Sequence, residues 1–162
     1  MAKKTTKKAT KKSVTKSSKA TAKKPSAAGP GGKGSFRVTT GSGATPMDIG
    51  TKLVSMFNTG QFAEIEKMFW SPKIESIEGL GVGMGWRGKP AVDAKNAGWM
   101  AQNKIHGASA EGPFVGSSGF AVRFKMDVEQ VDSGTRKMFD EVGVYTVKNG
   151  KIIREEFMYG TM

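Results

Sequence analysis

Cysteine is absent from this 162-residue sequence, and histidine occurs once, at His106. Disulfides, cysteine nucleophiles, thiolate metal sites and multi-histidine metal centres are thereby excluded. No stretch approaches the roughly 18 consecutive apolar residues that a membrane-spanning helix needs, and the N-terminus lacks the apolar segment of a secretory signal. Arginine is missing from the first 36 residues, unlike an arginine-rich mitochondrial leader, and carboxylates are missing before Asp48. These absences predict a cytoplasmic protein with no membrane partner and with neither metal nor cofactor.

What is abundant is lysine, and it is unevenly placed. Twelve of the 26 basic residues, eleven Lys and Arg37, lie within residues 1–37; residues 38–162 therefore hold 14 basic against 14 acidic residues. The net charge of +12 belongs to the N-terminal arm, and the rest is balanced. From Lys3 the arm runs in degenerate tetrads, KKTT, KKAT, KKSV, TKSS, KATA and KKPS. A segment with almost nothing apolar to bury cannot offset the entropy of ordering, so disorder is predicted. Its composition resembles the tails of linker histones and of some bacterial nucleoid proteins. Lys3, Lys4, Lys7, Lys8, Lys11, Lys12, Lys23 and Lys24 are the candidate contacts to DNA or RNA, without sequence preference and with association at the nucleoid. A tail that only aids solubility is the alternative. Residues 29–44, GPGGKGSFRVTTGSGA, form a glycine-rich linker. The predicted organisation is a tail and linker over 1–44 and one α+β pocket domain over 45–162.

Within the domain, Thr45-Pro46-Met47-Asp48 carries the cap, first-turn proline and capping-box acid of a helix whose Ile49, Leu53, Met56 and Phe57 share a face. Gly60 ends it, and Phe62, Ile65, Met68 and Phe69 mark a second helix, broken by Ser71-Pro72 before the strand KIESIE. A flexible loop, GLGVGMGWRG, is expected next. Its glycines resemble a nucleotide-binding loop only superficially, because Gly88-Lys89 is not followed by a hydroxyl residue, and a pocket lid fits better. Pro90 opens a third helix to about Asn103, with Ala91, Ala94, Gly98 and Ala101 as a close-packing face beside Val92 and Trp99. Residues 104–111 and 113–117 read as an irregular pair of strands. Three long antiparallel strands follow: FAVRFKMDVEQ, RKMFDEVGVYTV and KIIREEFMY, the last two joined through Asn149-Gly150. The middle one has Met138, Val142 and Val144 on one face and Phe139, Tyr145 and Val147 on the other, which predicts burial on both sides and a second subunit over the outer one.

This succession, with WRGKPAV at residues 86–92 and the terminal hairpin EVGVYTVKNGKIIREEF, resembles the SnoaL-like branch of the nuclear-transport-factor-2-like superfamily over residues 46–160. The resemblance implies a cone-shaped, curved antiparallel sheet wrapped around three N-terminal helices, an enclosed apolar pocket and a homodimer packed through the sheet. It does not choose an activity, since the family holds isomerases, cyclases, dehydratases, hydrolases and non-catalytic binding modules. Carried over by position, the isomerase tyrosine falls at Leu53, its base aspartate at Ile77 and its protonated aspartate at Gly143, so that chemistry is not inherited.

The residues left to carry chemistry are few. Glu141 shares a strand face with Gly143 and should point into the pocket, where glycine leaves room for a ligand. A three-residue turn would set Glu155 opposite Gly143 and diagonal to Glu141, whereas a two-residue turn would put Glu156 there. Two carboxylates in an apolar cleft raise one another's pKa, making one a usable acid or base near neutrality; the bland alternative is a pair bonded to Arg123, Arg136 or Arg154. His106 is a further proton-transfer candidate beside Glu141, or else a cap or surface residue. Trp86 and Trp99 suit a pocket mouth and wall, with Tyr145, Phe157 and Tyr159 as ligand contacts, although core packing explains Trp99 and Tyr159 equally well. Two functions remain: an acid-base enzyme acting without metal or redox cofactor on an apolar carbonyl compound, or a non-catalytic ligand- or partner-binding module tethered to nucleic acid by its tail.

Overall fold

The computed structural model describes residues 38–79 and 83–159, so the lysine-rich arm and its candidate contacts lie outside the described residues. The first helix, α1 (Pro46–Asn58), begins as its sequence predicts: Thr45 Oγ1 accepts from the Asp48 amide at 3.2 Å, and the Thr45 amide donates to Asp48 Oδ2 at 2.9 Å. Such reciprocal capping is worth about 1 kcal/mol. Ile49, Leu53 and Met56 are buried. In α2 (Phe62–Phe69) Ile65 and Phe69 turn to the core, but Met68 is left exposed.

Six strands follow in the order β2-β1-β6-β5-β4-β3, an unclosed sheet whose edges are β2 and β3. They are β1 (Trp70–Glu78), β2 (Met84–Arg87), β3 (Asn103–Val115), β4 (Gly119–Gln130), β5 (Arg136–Lys148) and β6 (Lys151–Tyr159), with α3 (Lys89–Gln102) between β2 and β3. No helix among the described residues is long and apolar enough to cross a membrane.

Several expectations are corrected. The sheet is not wholly antiparallel, because β1 runs parallel to β6. Strand β1 starts at Trp70 and carries Pro72 through an irregularity between Trp70 and Glu75, where a missing N–H breaks no ladder bond. The expected glycine loop contributes β2, which pairs with β1 from Glu75↔Arg87 to Glu78↔Met84. The two strands expected over 104–111 and 113–117 are one, β3, which ends at Val115 and is bent by irregularities on either side of a stretch in register with β4. In α3 the small residues Ala94, Gly98 and Ala101 face outward, while Val92, one position from Ala91, is fully buried.

The hairpin of β5 and β6 settles the inward residues. Asn149 and Gly150 both have positive φ, 51° and 71°, the backbone that a two-residue turn between twisted strands demands. The register then shifts by one: Val147 pairs with Ile152 but Thr146 with Arg154, leaving Ile153 as an extra residue. This bulge sets Tyr145 opposite Glu155, Gly143 opposite Phe157 and Glu141 opposite Tyr159. Neither alternative for the residue facing Gly143 holds, since Phe157 takes that place. Glu155 nevertheless faces inward, buried, while Glu156 opposes Val144 on the outer face.

Candidate functional site

Inward side chains of the sheet and the helices over them enclose a cavity of about 620 Å³. Its walls are mostly aromatic and aliphatic, with Phe57 and Phe62 from the helical side and Phe124, Phe139 and Phe157 from the sheet. Against this background the polar groups stand out.

Glu141 on β5 is 9% exposed, and among the described residues no hydrogen bond reaches its carboxyl. Burial, then the neighbouring Glu78 carboxylate, pushes its pKa up to about 7 against the pull of Lys95. Glu155 on β6 is 1% exposed, and within hydrogen-bond geometry neither of its oxygens has a partner among the described residues; Lys95 Nζ stands 3.8 Å from Oε1. Burial raises this carboxyl to about 7 as well, with Lys95 and the adjacent Ser76 hydroxyl acting in the opposite direction. The Ser76 hydroxyl accepts from Lys95 Nζ at 3.0 Å, which leaves its O–H free to donate toward Glu155.

Lys95 is the centre of this group. Its side chain is 11% exposed, and its ammonium also donates to Glu78 Oε1 and lies 5.5 Å and 5.2 Å from the ring centroids of Trp86 and Phe157. The remaining oxygen of Glu78 accepts from the Tyr159 hydroxyl at 3.0 Å. Glu66, lower on α2, is held by Asn96 Nδ2 at 2.8 Å, and burial raises its pKa too.

The structure therefore gathers five of the sequence candidates, Glu141, Glu155, Tyr145, Phe157 and Tyr159, on one surface, with Trp99 on the facing wall. The bonds expected from Arg123, Arg136 and Arg154 do not reach Glu141 or Glu155, because those side chains bind Asp140, Asp127 and Glu156 on the outer face. His106 takes the surface alternative and not the place beside Glu141: its Nε2 lies 2.6 Å from Glu129 Oε2, and Glu129 alternates with inward Val128. Trp86 does not line the cavity but stacks behind Lys95. The room expected at Gly143 is occupied, since a Cβ there would stand 2.8 Å from the Tyr145 hydroxyl and 2.9 Å from the Phe124 ring.

Glu78, Lys95 and Ser76 were missed, although period two from buried Ile74 places Ser76 and Glu78 on its face. Lys95 likewise lies three residues after Val92 and four before Trp99, on one side of α3.

Comparison with known proteins agrees with this geometry. The SnoaL-like domain family matches residues 44–159. The chain belongs to this family. A solved structure from Mesorhizobium loti, provisionally named a SnoaL-like polyketide cyclase and carbohydrate phosphatase, is 38% identical, with 72% of this chain and 100% of that one covered at a TM-score of 0.68. A protein from Jannaschia sp. CCS1, provisionally a SnoaL-like polyketide cyclase, is 16% identical with 77% and 90% covered and a TM-score of 0.58. A provisional isomerase from Bacillus subtilis is 15% identical with 71% and 86% covered and a TM-score of 0.54. The last two share the fold alone. No curated protein matches the sequence. The inward carboxyls Glu141 and Glu155 lie one pleat to either side of Gly143 along the paired strands.

Proposed function

We propose that this SnoaL-like domain is a small-molecule enzyme that moves a proton on an apolar, carbonyl-bearing substrate, with Glu141 as the acid-base group and no metal or redox cofactor. The observation that supports it most is an unbonded carboxyl, 9% exposed, on the wall of an aromatic cavity, with a pKa of about 7. A group so poised is half ionised near neutrality, where it both accepts and returns a proton. Glu155 is less suited to the proton step because Lys95 stands beside it. The Tyr145 hydroxyl, drawn over Gly143 between the two carboxyls, has its pKa raised well above the ordinary value by burial first and then by Glu155 and Glu141. It stays protonated and able to donate to a carbonyl oxygen. Lys95 holds Glu78 and, through it, Tyr159.

Exchange of α-hydrogens in deuterium oxide tests this reading without a known substrate. Across a panel of cyclic ketones, the protein should accelerate exchange into at least one, with a rate rising through a single ionisation at about pH 7. No acceleration over free carboxylate for any ketone would remove the proposed chemistry.

The same reading includes a homodimer packed through the outer face of the sheet. Met138 and Met158 are 65% and 50% exposed there, beside half-buried Val142 and Val144. The ion pairs of Arg123, Arg136 and Arg154 border this strip, the arrangement of an apolar interface core with a polar rim. Sedimentation at micromolar concentration should give a dimer, and Val144→Lys a folded monomer. A monomeric parent protein would refute this arrangement.

A further inference from the structure

The cavity wall carries its charge unevenly. Six carboxylate side chains line it, and among the described residues one cationic side chain, Lys95, does so. Asp93 is paired with Lys89 and Asp140 with Arg123, which leaves Glu66, Glu78, Glu141 and Glu155 against a single ammonium. That ammonium is engaged: it binds Glu78 and the Ser76 hydroxyl and stands 3.8 Å from Glu155. Among the described residues no cation lies within ion-pair distance of Glu141.

The strand register fixes what surrounds this carboxyl. Phe124 of β4 and Tyr159 of β6 are the cross-strand partners of Glu141, about 5 Å away between Cβ atoms. Phe139 is the neighbouring inward residue on β5, and the Trp99 ring meets it edge-on at 6.5 Å between centroids. Glu141 thus stands on the cavity wall between aromatic side chains of its own strand and of both adjoining strands. Whereas Glu155 is closed off at 1% exposure, Glu141 keeps 9% of its surface open.

A buried carboxyl without a partner is costly, and its neighbours add to the cost. After burial itself, Glu78 raises the proton affinity of Glu141 more than Lys95 lowers it, and Glu155 raises it further. The other titratable groups on the wall, Glu66, Tyr145 and Tyr159, bring no positive charge. The chemistry of a fitting partner follows. A second anion would be repelled, and a neutral hydroxyl can bond the carboxyl but gains nothing from the rings. A cationic nitrogen on an apolar body gains from both, because an ammonium is drawn to carboxylates and to the faces of aromatic rings, the more so where water is excluded. We propose that the Glu141 end of the cavity is a binding site for an organic ammonium ion with an apolar body, seated among Phe124, Phe139 and Tyr159. The site concerns the ligand's charge and does not rest on the proton transfer proposed above.

Benzyltrimethylammonium and neopentylbenzene, which has the same shape with carbon in place of the charged nitrogen, separate charge from packing; phenylacetate supplies the opposite sign. The cation has no proton to give, so any pH dependence of its binding belongs to the protein. Binding to the full chain is followed through the tryptophan indole N–H resonances in nitrogen-edited NMR, since Trp99 lines the cavity. Affinity for benzyltrimethylammonium should rise about tenfold or more from about pH 5.5 to about pH 8.5, as expected where a cation within ion-pair reach holds a carboxyl ionised. Neopentylbenzene should gain nothing over the same range, and phenylacetate should not bind. In Glu141→Gln the cation should bind at every pH with the weak affinity that the parent shows at low pH, and neopentylbenzene should bind as it does to the parent. The site is overturned by a cation affinity that ignores pH in the parent, an equal rise for the hydrocarbon, a rise that survives Glu141→Gln, phenylacetate binding as tightly as the cation, or binding of no probe at all. Cation binding of the expected form without ketone exchange would retire the proton-transfer reading alone, and exchange without such binding would retire the ammonium site alone.

Discussion

Glu141→Gln should lower α-hydrogen exchange by about two to four orders of magnitude while leaving the protein at least as stable as its parent. Glutamine keeps the shape of the side chain and removes its titration, so a group that transfers the proton cannot be replaced by it. The stability half of the expectation follows from the direction of the pKa shift. Burial and Glu78 raise the Glu141 carboxyl from 4.5 to about 7, so between those values the folded chain holds a proton that the unfolded chain has released. This contribution to stability is fully present below pH 4.5 and is lost as the pH rises through about 7. Above that, the ionised carboxylate costs the native state roughly 3 kcal/mol, an amount that glutamine does not incur. Parent and variant should therefore melt together at about pH 4 and diverge by about pH 8, with the variant higher. A structural Glu141 gives the opposite result: the variant melts lower at both pH values, and exchange falls only in proportion to the folded fraction.

The second large effect concerns the arm, whose function we propose to be attachment to nucleic acid. With eleven lysines and one arginine in its first 37 residues and no acidic residue among them, the chain carries its excess charge where no aromatic side chain is interleaved for base stacking except Phe36. If about six lysines neutralise phosphates, log K should fall against log salt with a slope of about −5. Affinity for duplex DNA should then drop about a thousandfold between about 50 and 200 mM salt, equally for unrelated sequences. Deleting residues 1–40 should abolish binding, because residues 38–162 hold 14 charges of each sign. Fluorescence anisotropy with labelled duplexes reads both quantities. Binding that persists in the truncated chain, or that ignores salt, assigns the arm to solubility.

The helices were legible because their signals are local. Thr45-Pro46-Met47-Asp48 states a helix start without reference to anything distant, and Ile49, Leu53 and Met56 repeat on one face. The alternation of β4, from Phe120 to Val128, is equally explicit. What could not be read depends on pairing. The parallel contact of β1 with β6 joins residues some eighty apart and leaves no mark in either segment. The small face of α3 misled because alanine and glycine suit a close contact and an open surface alike, and no Cβ-sized neighbour stands near Gly98. At the site, Glu141 was legible as an inward carboxyl from its spacing to Gly143. Its principal charged neighbour is Glu78 rather than Glu155, because the hairpin bulge moves Glu155 one pleat away. His106 lies at the boundary of α3 and β3, where the extra residue between Ile105 and Gly107 decides its face, and the surface alternative is the one realised.

That bulge has a further consequence for what the pocket holds. Ile153 is the single surplus residue that turns Glu155, Phe157 and Tyr159 inward and Glu156 and Met158 outward. Taking Ile153 into the ladder opposite Thr146 would exchange the entire inner row of β6 for the outer one with no change of sequence. Deleting it would do the reverse and lock the present row, because Thr146 would still meet Arg154 and Tyr145 would still meet Glu155. The lining of the pocket is therefore set by where the ladder leaves one residue over, and a glutamate stands inward in either register, Glu155 in one and Glu156 in the other.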